Sequence, residues 1–385
     1  MSTYVIKFKK SDLRGSHMKI IHCADVHLDS KMTANLTKEK AKERKSELLN
    51  TFTRMIEYAK NNDVSAIIIA GDLFDTKNIS VTAGKLVLNT IIGNPDIDFY
   101  YVRGNHDVDG FLSNMESIPD NLKLFDNKWT SYSMNAVGSV VITGVEIDSD
   151  NSNYIYSNLT LDADKFNIVC LHGQESEHGA KDKAEVINLR ELKYKGIDYL
   201  ALGHIHSFKM AELDSRGVYC YPGCLEGRGF DECGEHGFVL LDIDDNTGKC
   251  TNTFVPFAYR NLYTLQVDVT DAMSTSEISE ILKASLNSAG YSDKSLVKII
   301  LTGMVDVQCE KNTDVLLKQF SENYYFMKIY DETKLKVDYN LFMRDESLKG
   351  EFVRTVKNAE TISEEEKAAI IKLGIQLLAG EEIEL

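Results

Sequence analysis

Apolar residues gather in short runs between charged loops, and their spacing changes twice along the chain. Residues 19–23, 66–70 and 98–102 are nearly unbroken apolar stretches of strand length, the pattern of strands buried on both faces. Between the first two, Leu48, Leu49, Phe52, Met55, Ile56 and Ala59 recur at three- and four-residue steps. That spacing predicts a helix with one apolar face, and 80–92 predicts another. After Asn127 the pattern turns to alternation, predicting strands at 137–145, 167–171, 199–202, 217–221 and 237–243. Near Leu262 it changes again, to strand 263–269, helix 276–288, strand 296–302, helix 313–322 and an extended stretch 325–337.

From Asn340 onward the sequence reads as helical. Leu348, Phe352, Val356 and Ala359 form one stripe. Ser363 with Glu366 makes a capping box that opens a further helix, whose Ile371, Ile375 and Leu378 share a face before Gly380. The fold class is α/β: a two-sheet α/β sandwich with helices outside, a small α+β segment and a helical tail. The boundaries fall at 18–262, 263–337 and 338–385. The bland reading of 263–337 is an extension of the core.

A chain of 385 residues has room for two domains. No apolar run approaches the roughly 18–20 residues that span a bilayer, and no secretory leader is visible, so no membrane partner is expected. Gly15-Ser16-His17-Met18 resembles the scar left by tag removal and cloning, and residues 1–17 are set aside, with Met18 as the natural start. Seven scattered cysteines argue against a disulfide framework and for the reducing cytoplasm. Cys220, Cys224, Cys233 and His236 cluster, but their spacing fits neither a zinc ribbon nor a finger.

Five segments carry the candidate chemistry: Asp25-Val26-His27, Gly71-Asp72-Leu73-Phe74-Asp75, Gly104-Asn105-His106-Asp107, His172-Gly173 and Gly203-His204-Ile205-His206. Each follows an apolar run, so the loops cluster at the C-terminal ends of strands, where open α/β sheets present their sites. Five of the nine histidines lie in these segments. A lone Asp or His at a strand end is usually a cap or a solvated loop residue. Capping gives no reason for this set in this order. Phosphodiesters resist hydrolysis because anionic oxygens repel hydroxide and the alkoxide leaves poorly. Two cations roughly 3.5–4 Å apart counter both effects. Mixed imidazole, carboxylate and amide ligands suit Mn, Fe or Zn better than Mg, and Mn is the expected ion.

The five segments resemble the calcineurin-like metallophosphoesterase superfamily. The fuller text is similar to the SbcD family, the nuclease subunits of bacterial SbcC–SbcD DNA-repair complexes. The similarity lies in Ile20 through Ser30, Ile69 through Asp75, Tyr221-Pro222-Gly223 and Gly227-Arg228-Gly229-Phe230, and it covers 18–262. It implies that Asp25, His27 and His206 hold one metal, that Asn105, His172 and His204 hold the other, and that Asp72 bridges. It implies that His106 faces the substrate, stabilising the transition state or protonating the leaving oxygen. Asp75 is expected to orient His106, although some relatives have histidine there. His22 reads as a core or supporting residue, and His178 and His236 as surface residues. Arg103 and Arg228 are expected either at phosphate or in structural salt bridges.

By the same resemblance, 18–262 is the nuclease domain, 263–337 a capping domain that positions DNA, and 338–385 the segment that binds the coiled coil of an SbcC-type ATPase. Packing of the tail back on its own domain is the competing reading. A homodimer through 80–92 is a further expectation. The implied activity is a Mn-dependent DNA exonuclease (3′→5′) and single-strand or hairpin endonuclease, using a hydroxide between two metals, in double-strand-break repair. The alternatives are a small-molecule phosphodiesterase or protein phosphatase of the same superfamily, and a scaffold without catalysis. The net charge of −16 opposes DNA binding by counterion release. Bound divalent ions would reverse the local charge, and the lysine-rich stretch 38–45 is expected to place positive charge near the metal loops, or else to be a solvated loop or helix start.

Overall fold

The computed structural model describes residues 17–30, 32, 36–75, 79–105, 107, 117–134, 139–152, 154–177 and 186–379. The chain divides into two compact units, Met1–Asn261 and Leu262–Leu385.

The first unit begins with β1 (His17–Cys23), α1 (Lys38–Asn61), β2 (Val64–Ala70), α2 (Val81–Ile92), β3 (Asp98–Val102) and β4 (Leu122–Leu124). It continues with β5 (Thr130–Ser133), β6 (Val140–Gly144), β7 (Phe166–His172), β8 (Gln174–Ser176), β9 (Val186–Asn188), α3 (Leu189–Leu192) and β10 (Tyr199–Gly203). It closes with β11 (Lys209–Glu212), β12 (Val218–Tyr221), β13 (Gly237–Asp244) and β14 (Cys250–Pro256). Two six-stranded sheets result, in the orders β14-β13-β1-β2-β3-β4 and β11-β12-β10-β7-β6-β5. Both are mixed: β1 to β4 pair in parallel, whereas β13 joins β1 antiparallel.

Strand alternation explains the layering. Ile20, Ile68 and Tyr100 point inward, against Ile168, Tyr199 and Ala201 of the second sheet. Their neighbours Ile21, Ile67, Ile69 and Phe99 point outward, against Leu48, Phe52 and Met55 of α1. The outer face of the second sheet, with Val169, Leu171, Leu200 and Leu202, is covered by Ile155, Leu189 and Leu192. This is the expected α/β sandwich with helices outside. Thr37 caps α1 by accepting from the Lys40 N–H at 3.3 Å, and Ser80 caps α2 through the Ala83 N–H at 3.1 Å.

Several details depart from expectation. β1 starts at His17, which pairs with Asp244 and whose imidazole lies 2.8 Å from Asp242 Oδ1. The strands β4, β5, β11 and β14 leave little apolar pattern, because each is a sheet edge whose residues are mostly half-buried or exposed. Stretch 38–45 is the first turns of α1, and its Arg44 does not serve the surface charge. Arg44 is buried and donates to Glu47 Oε2 at 2.7 Å and Glu226 Oε2 at 3.1 Å.

The second unit contains β15 (Leu262–Asp268), α4 (Thr275–Ala289), β16 (Leu296–Thr302), β17 (Met304–Asp306), α5 (Thr313–Phe320), β18 (Phe326–Asp331) and β19 (Lys334–Lys336). The helices α6 (Tyr339–Phe342), α7 (Leu348–Lys357) and α8 (Glu364–Ala379) follow. Strands β15, β16 and β18 form a parallel sheet with α4 and α5 as crossovers. The capping box is present: Ser363 N donates to Glu366 Oε2 at 2.7 Å, and Glu366 N to Ser363 Oγ at 3.2 Å. Val353, Val356, Ala368 and Ile371 of α7 and α8 pack with Val307 and Phe342, so the tail has an intramolecular core. The expected stripes hold only in part, because Leu348 and Leu378 are exposed. Gly380 lies outside the described residues.

Candidate metal centre

Strands of the two sheets deliver their polar loops to one pole of the sandwich. β1 leads to Asp25 and His27, β2 to Asp72 and β3 to Asn105, all within the first sheet. β7 ends in His172, and β10 ends just before His204 and His206, in the second. Backbone bonds tie the first two loops together: Asp25 N donates to Gly71 O at 3.1 Å, and His27 N to Asp72 O at 2.9 Å. The turns are tight enough that Asp25, His27 and Asp72 all adopt left-handed φ, at 49°, 48° and 51°. Non-glycine residues are strained in this region, and such strain concentrates at functional sites. Gly71, at φ 88°, sits where a Cβ would collide with the His172 ring. A Cβ at Gly203 would strike Ala70 O, so two glycines let the sheets approach at this pole.

The ligand atoms converge. Asp25, His27 and His206 form one group whose ligand atoms all lie within 4.8 Å of one another, and Asp25, Asp72 and His172 form a second. Asp72 Oδ2 lies 3.9 Å from His27 Nε2 and 3.5 Å from His172 Nε2, between the two imidazoles. The Asn105 amide is 3.0 Å from His172 Nε2. The His204 ring stands 5.4 Å from that of His172, centroid to centroid, and its backbone N–H donates to both Asp25 oxygens at 2.9 Å. His106 lies outside the described residues. Asp75, expected to orient it, is 3.2 Å from His27 Nδ1 and 3.1 Å from Arg228 Nη1.

The donor set fits cations, and tautomers provide the test. His172 Nδ1 lies 2.9 Å from the Ala70 carbonyl, which can only accept, so Nδ1 carries the hydrogen and Nε2 turns a lone pair towards Asp72. His206 Nδ1 is 2.7 Å from Glu232 Oε1 and 3.1 Å from Arg228 Nη2. The shorter contact decides, since a bare nitrogen facing a carboxylate at that distance would be repulsive. Nδ1 is therefore protonated. The same argument places a hydrogen on His27 Nδ1 against Asp75. His27 Nε2 and His206 Nε2 then face each other at 3.2 Å, and one positive species must lie between two lone pairs. Without metal that species is a proton. Burial lowers the His27 pKa against Asp75's pull. Burial opposes protonation of His206 too, yet Glu232 and Asp25 leave its pKa above the ordinary value. Burial, with Asp72 adding to it, pushes the Asp25 carboxyl up to about 8. Packed acids and inward lone pairs are what a pair of divalent ions relieves.

Other assignments resolve differently. His22 is buried against the Tyr199 hydroxyl at 2.9 Å, a core residue as expected. His236 is a correction: it is buried, with Nδ1 3.2 Å from Cys224 Sγ and Nε2 2.9 Å from Glu232 O. It lies beneath the Arg228–Glu232 loop, which a surface assignment did not anticipate. The suspected cysteine cluster does not assemble: Cys233 is exposed, and Cys220 is buried in the inter-sheet core. His178 lies outside the described residues. Arg103 is in a salt bridge, 2.6 Å from Glu146. Two site residues escaped sequence reasoning. Asp107 accepts from the backbone of Gly104 and Phe74 at 3.0 Å each, clamping the second loop to the third. Glu232 supports His206. Asp107's place in the Asn-His-Asp run was the available signal. For Glu232 it was the i,i+4 spacing from Arg228.

Residues 18–208 match the calcineurin-like phosphoesterase family. The chain is 25% identical to an uncharacterized metallophosphoesterase, YhaO, of Bacillus subtilis (strain 168), over 82% of each chain. It is also 25% identical to the DNA double-strand break repair protein Mre11 of Sulfolobus acidocaldarius, over 84% of this chain and 87% of that one. TT1561 of Thermus thermophilus, a crystal structure, aligns with a TM-score of 0.40 at 14% identity, covering 62% of this chain and 98% of that chain.

Proposed function

We propose that this chain, whose residues 18–208 match the calcineurin-like phosphoesterase family, is a two-metal DNA nuclease of SbcD type. It trims ends 3′→5′ and nicks single strands or hairpins in double-strand-break repair. One observation carries the reading. The similarity to the Sulfolobus repair protein spans 84% of this chain, more than the unit Met1–Asn261 can supply, so it continues into Leu262–Leu385. A minimal phosphodiesterase needs no such second unit.

In this reading Asp25, His27 and His206 hold one ion, Asn105, His172 and His204 hold the other, and Asp72 bridges. Mn is the favoured metal, with Fe or Zn the alternatives. When bound, the pair neutralises phosphate oxygens and supplies a nucleophile at neutral pH. The protein's own part is to fix the tautomers through Ala70 O, Glu232 and Asp75, and to keep Asp25, His27 and Asp72 buried. His106 acts on the leaving oxygen, and Asp75 supports it. The second unit caps the DNA. The α8 face bearing Ile370, Leu373, Leu377 and Leu378 is exposed and apolar, and is assigned to the coiled coil of an SbcC-type ATPase. A second copy pairs through α2, where Val81 and Ile92 are exposed.

The test is cleavage of end-labelled duplex, hairpin and single-stranded oligonucleotides, beside a generic phosphodiester, with Mn, Mg or chelator. Mn-dependent shortening of DNA from 3′ ends is expected, with weak DNA affinity from an acidic chain alone. Hydrolysis of the generic diester with DNA left intact refutes the nuclease and leaves the small-molecule phosphodiesterase.

A further inference from the structure

Behind the two imidazoles that face each other, three charged side chains close a ring. Glu232 Oε1 accepts from His206 Nδ1 at 2.7 Å and from Arg228 Nη2 at 2.6 Å, and Glu232 Oε2 accepts from the Arg228 backbone N–H at 2.7 Å. Arg228 Nη1 reaches Asp75 Oδ1 at 3.1 Å, and the same oxygen lies 3.2 Å from His27 Nδ1. The path His206–Glu232–Arg228–Asp75–His27 is continuous. Glu232 and His27 are buried and Arg228 and Asp75 are half-buried, so the charges are less screened than in bulk water.

On the other side of Asp72 the support is different. His172 Nδ1 is held by the neutral Ala70 carbonyl. A carboxylate behind an imidazole raises its basicity and fixes its ring more strongly than a carbonyl does. The ring of three carries two negative charges and one positive, a net negative charge behind His27 and His206, whereas His172 Nδ1 meets a neutral carbonyl. We propose that Glu232 and Arg228 are positioning residues that make the two ion positions unequal, so that the one framed by Asp25, His27 and His206 fills first. The proposal rests on the two-metal reading and adds an order of filling to it.

Calorimetric titration of the metal-stripped full chain with Mn2+ tests both. Wild type is expected to bind two ions in two resolved steps. Glu232→Gln keeps the side-chain shape and removes the charge, and is expected to weaken the tighter step about 10–100-fold while the looser step stays put. Co2+ absorption gives a second readout, with the band of the first equivalent shifting in the variant and that of the second unchanged. Two equal steps in wild type overturn the proposal, as does a Glu232→Gln variant that weakens both steps alike or neither. Fewer than two ions in wild type refutes the two-metal reading itself. Should Glu232→Gln fail to fold, Arg228→Lys carries the same test, because it keeps the charge but loses the fork that holds Glu232. Weakening confined to the tight step supports the proposal, and equal or absent weakening overturns it.

Discussion

Met1–Asn261 buries a cluster of charged and polar side chains around the candidate metal centre, whereas Leu262–Leu385 gathers exposed leucines on its C-terminal helices. The first unit holds Asp25, His27, Asp72, His172, Arg44, Glu226 and Glu232 out of solvent, each with a bonding partner or a place at the metal centre. The second exposes Leu341, Met343, Leu348, Leu373, Leu377 and Leu378. Burying charge is costly unless it is paired or meets a metal. Exposing clustered leucines is costly in solubility unless something covers them. On the function proposed above, the first unit carries the chemistry and the C-terminal helices of the second carry the contact with the ATPase partner.

The largest effect tests the chemistry. Asp72→Asn removes the carboxylate between His27 and His172. Turnover of a generic phosphodiester is expected to fall about 1,000-fold or more, with metal content by elemental analysis dropping in parallel. His106→Ser should separate the two readouts, lowering turnover about 100-fold with metal content nearly intact. Equal turnover in that variant and wild type would reverse the role given to His106.

Next comes the scaffold that carries the loops. Phe52 is fully buried where α1 packs on the first sheet. Phe52→Ala is expected to cost about 3–5 kcal/mol of stability by denaturant unfolding, from lost burial and a cavity. A loss under about 1 kcal/mol would mean that α1 is not part of a close-packed core.

These elements were legible because burial on both faces leaves no alternative pattern: Ile67, Ile68 and Ile69 read as a central strand from their letters alone. The ligand loops were legible because their chemistry needs specific side chains at strand ends. The edge strands were not, since solvent accepts almost any residue on half their surface. Arg44 and His236 were misplaced for a related reason. A charged or titratable residue is buried only when its partner comes from far along the chain, here Glu226 for Arg44 and the Cys224–Glu232 loop for His236. Glu232 became visible as a support only when folding brought it to His206.

A smaller effect follows from His22. Burial lowers its pKa from 6.5 to about 3, against a backbone bond that raises it. Between those values the unfolded chain binds a proton that the folded one refuses, so stability rises with pH in that window and is lost as pH falls below about 6.5. From pH 6.5 to 5 this one group should account for about 2 kcal/mol. His22→Asn is expected to show a shallower fall in melting temperature over that range. An unchanged slope would assign the acid sensitivity to other groups.

The smallest effect on stability bears most directly on the contrast between units. Leu373 and Leu377 lie on α8 four residues apart, one turn along the same exposed face, while Ile371 and Ile375 turn into the core. Replacing both exposed leucines with Glu adds charge where solvent already reaches, so unfolding free energy should move by no more than about 0.5 kcal/mol. Hydrolysis of a generic phosphodiester, whose candidate metal-ligand groups lie in the first unit, should stay at the wild-type level. Capture of a coiled-coil ATPase partner in a pull-down should be lost, because two carboxylates would have to be desolvated at the contact. Retained capture would move the partner's footprint elsewhere. A stability loss of several kcal/mol would instead mean that this face packs within the protein, and the division between a chemical unit and a contact unit would no longer hold.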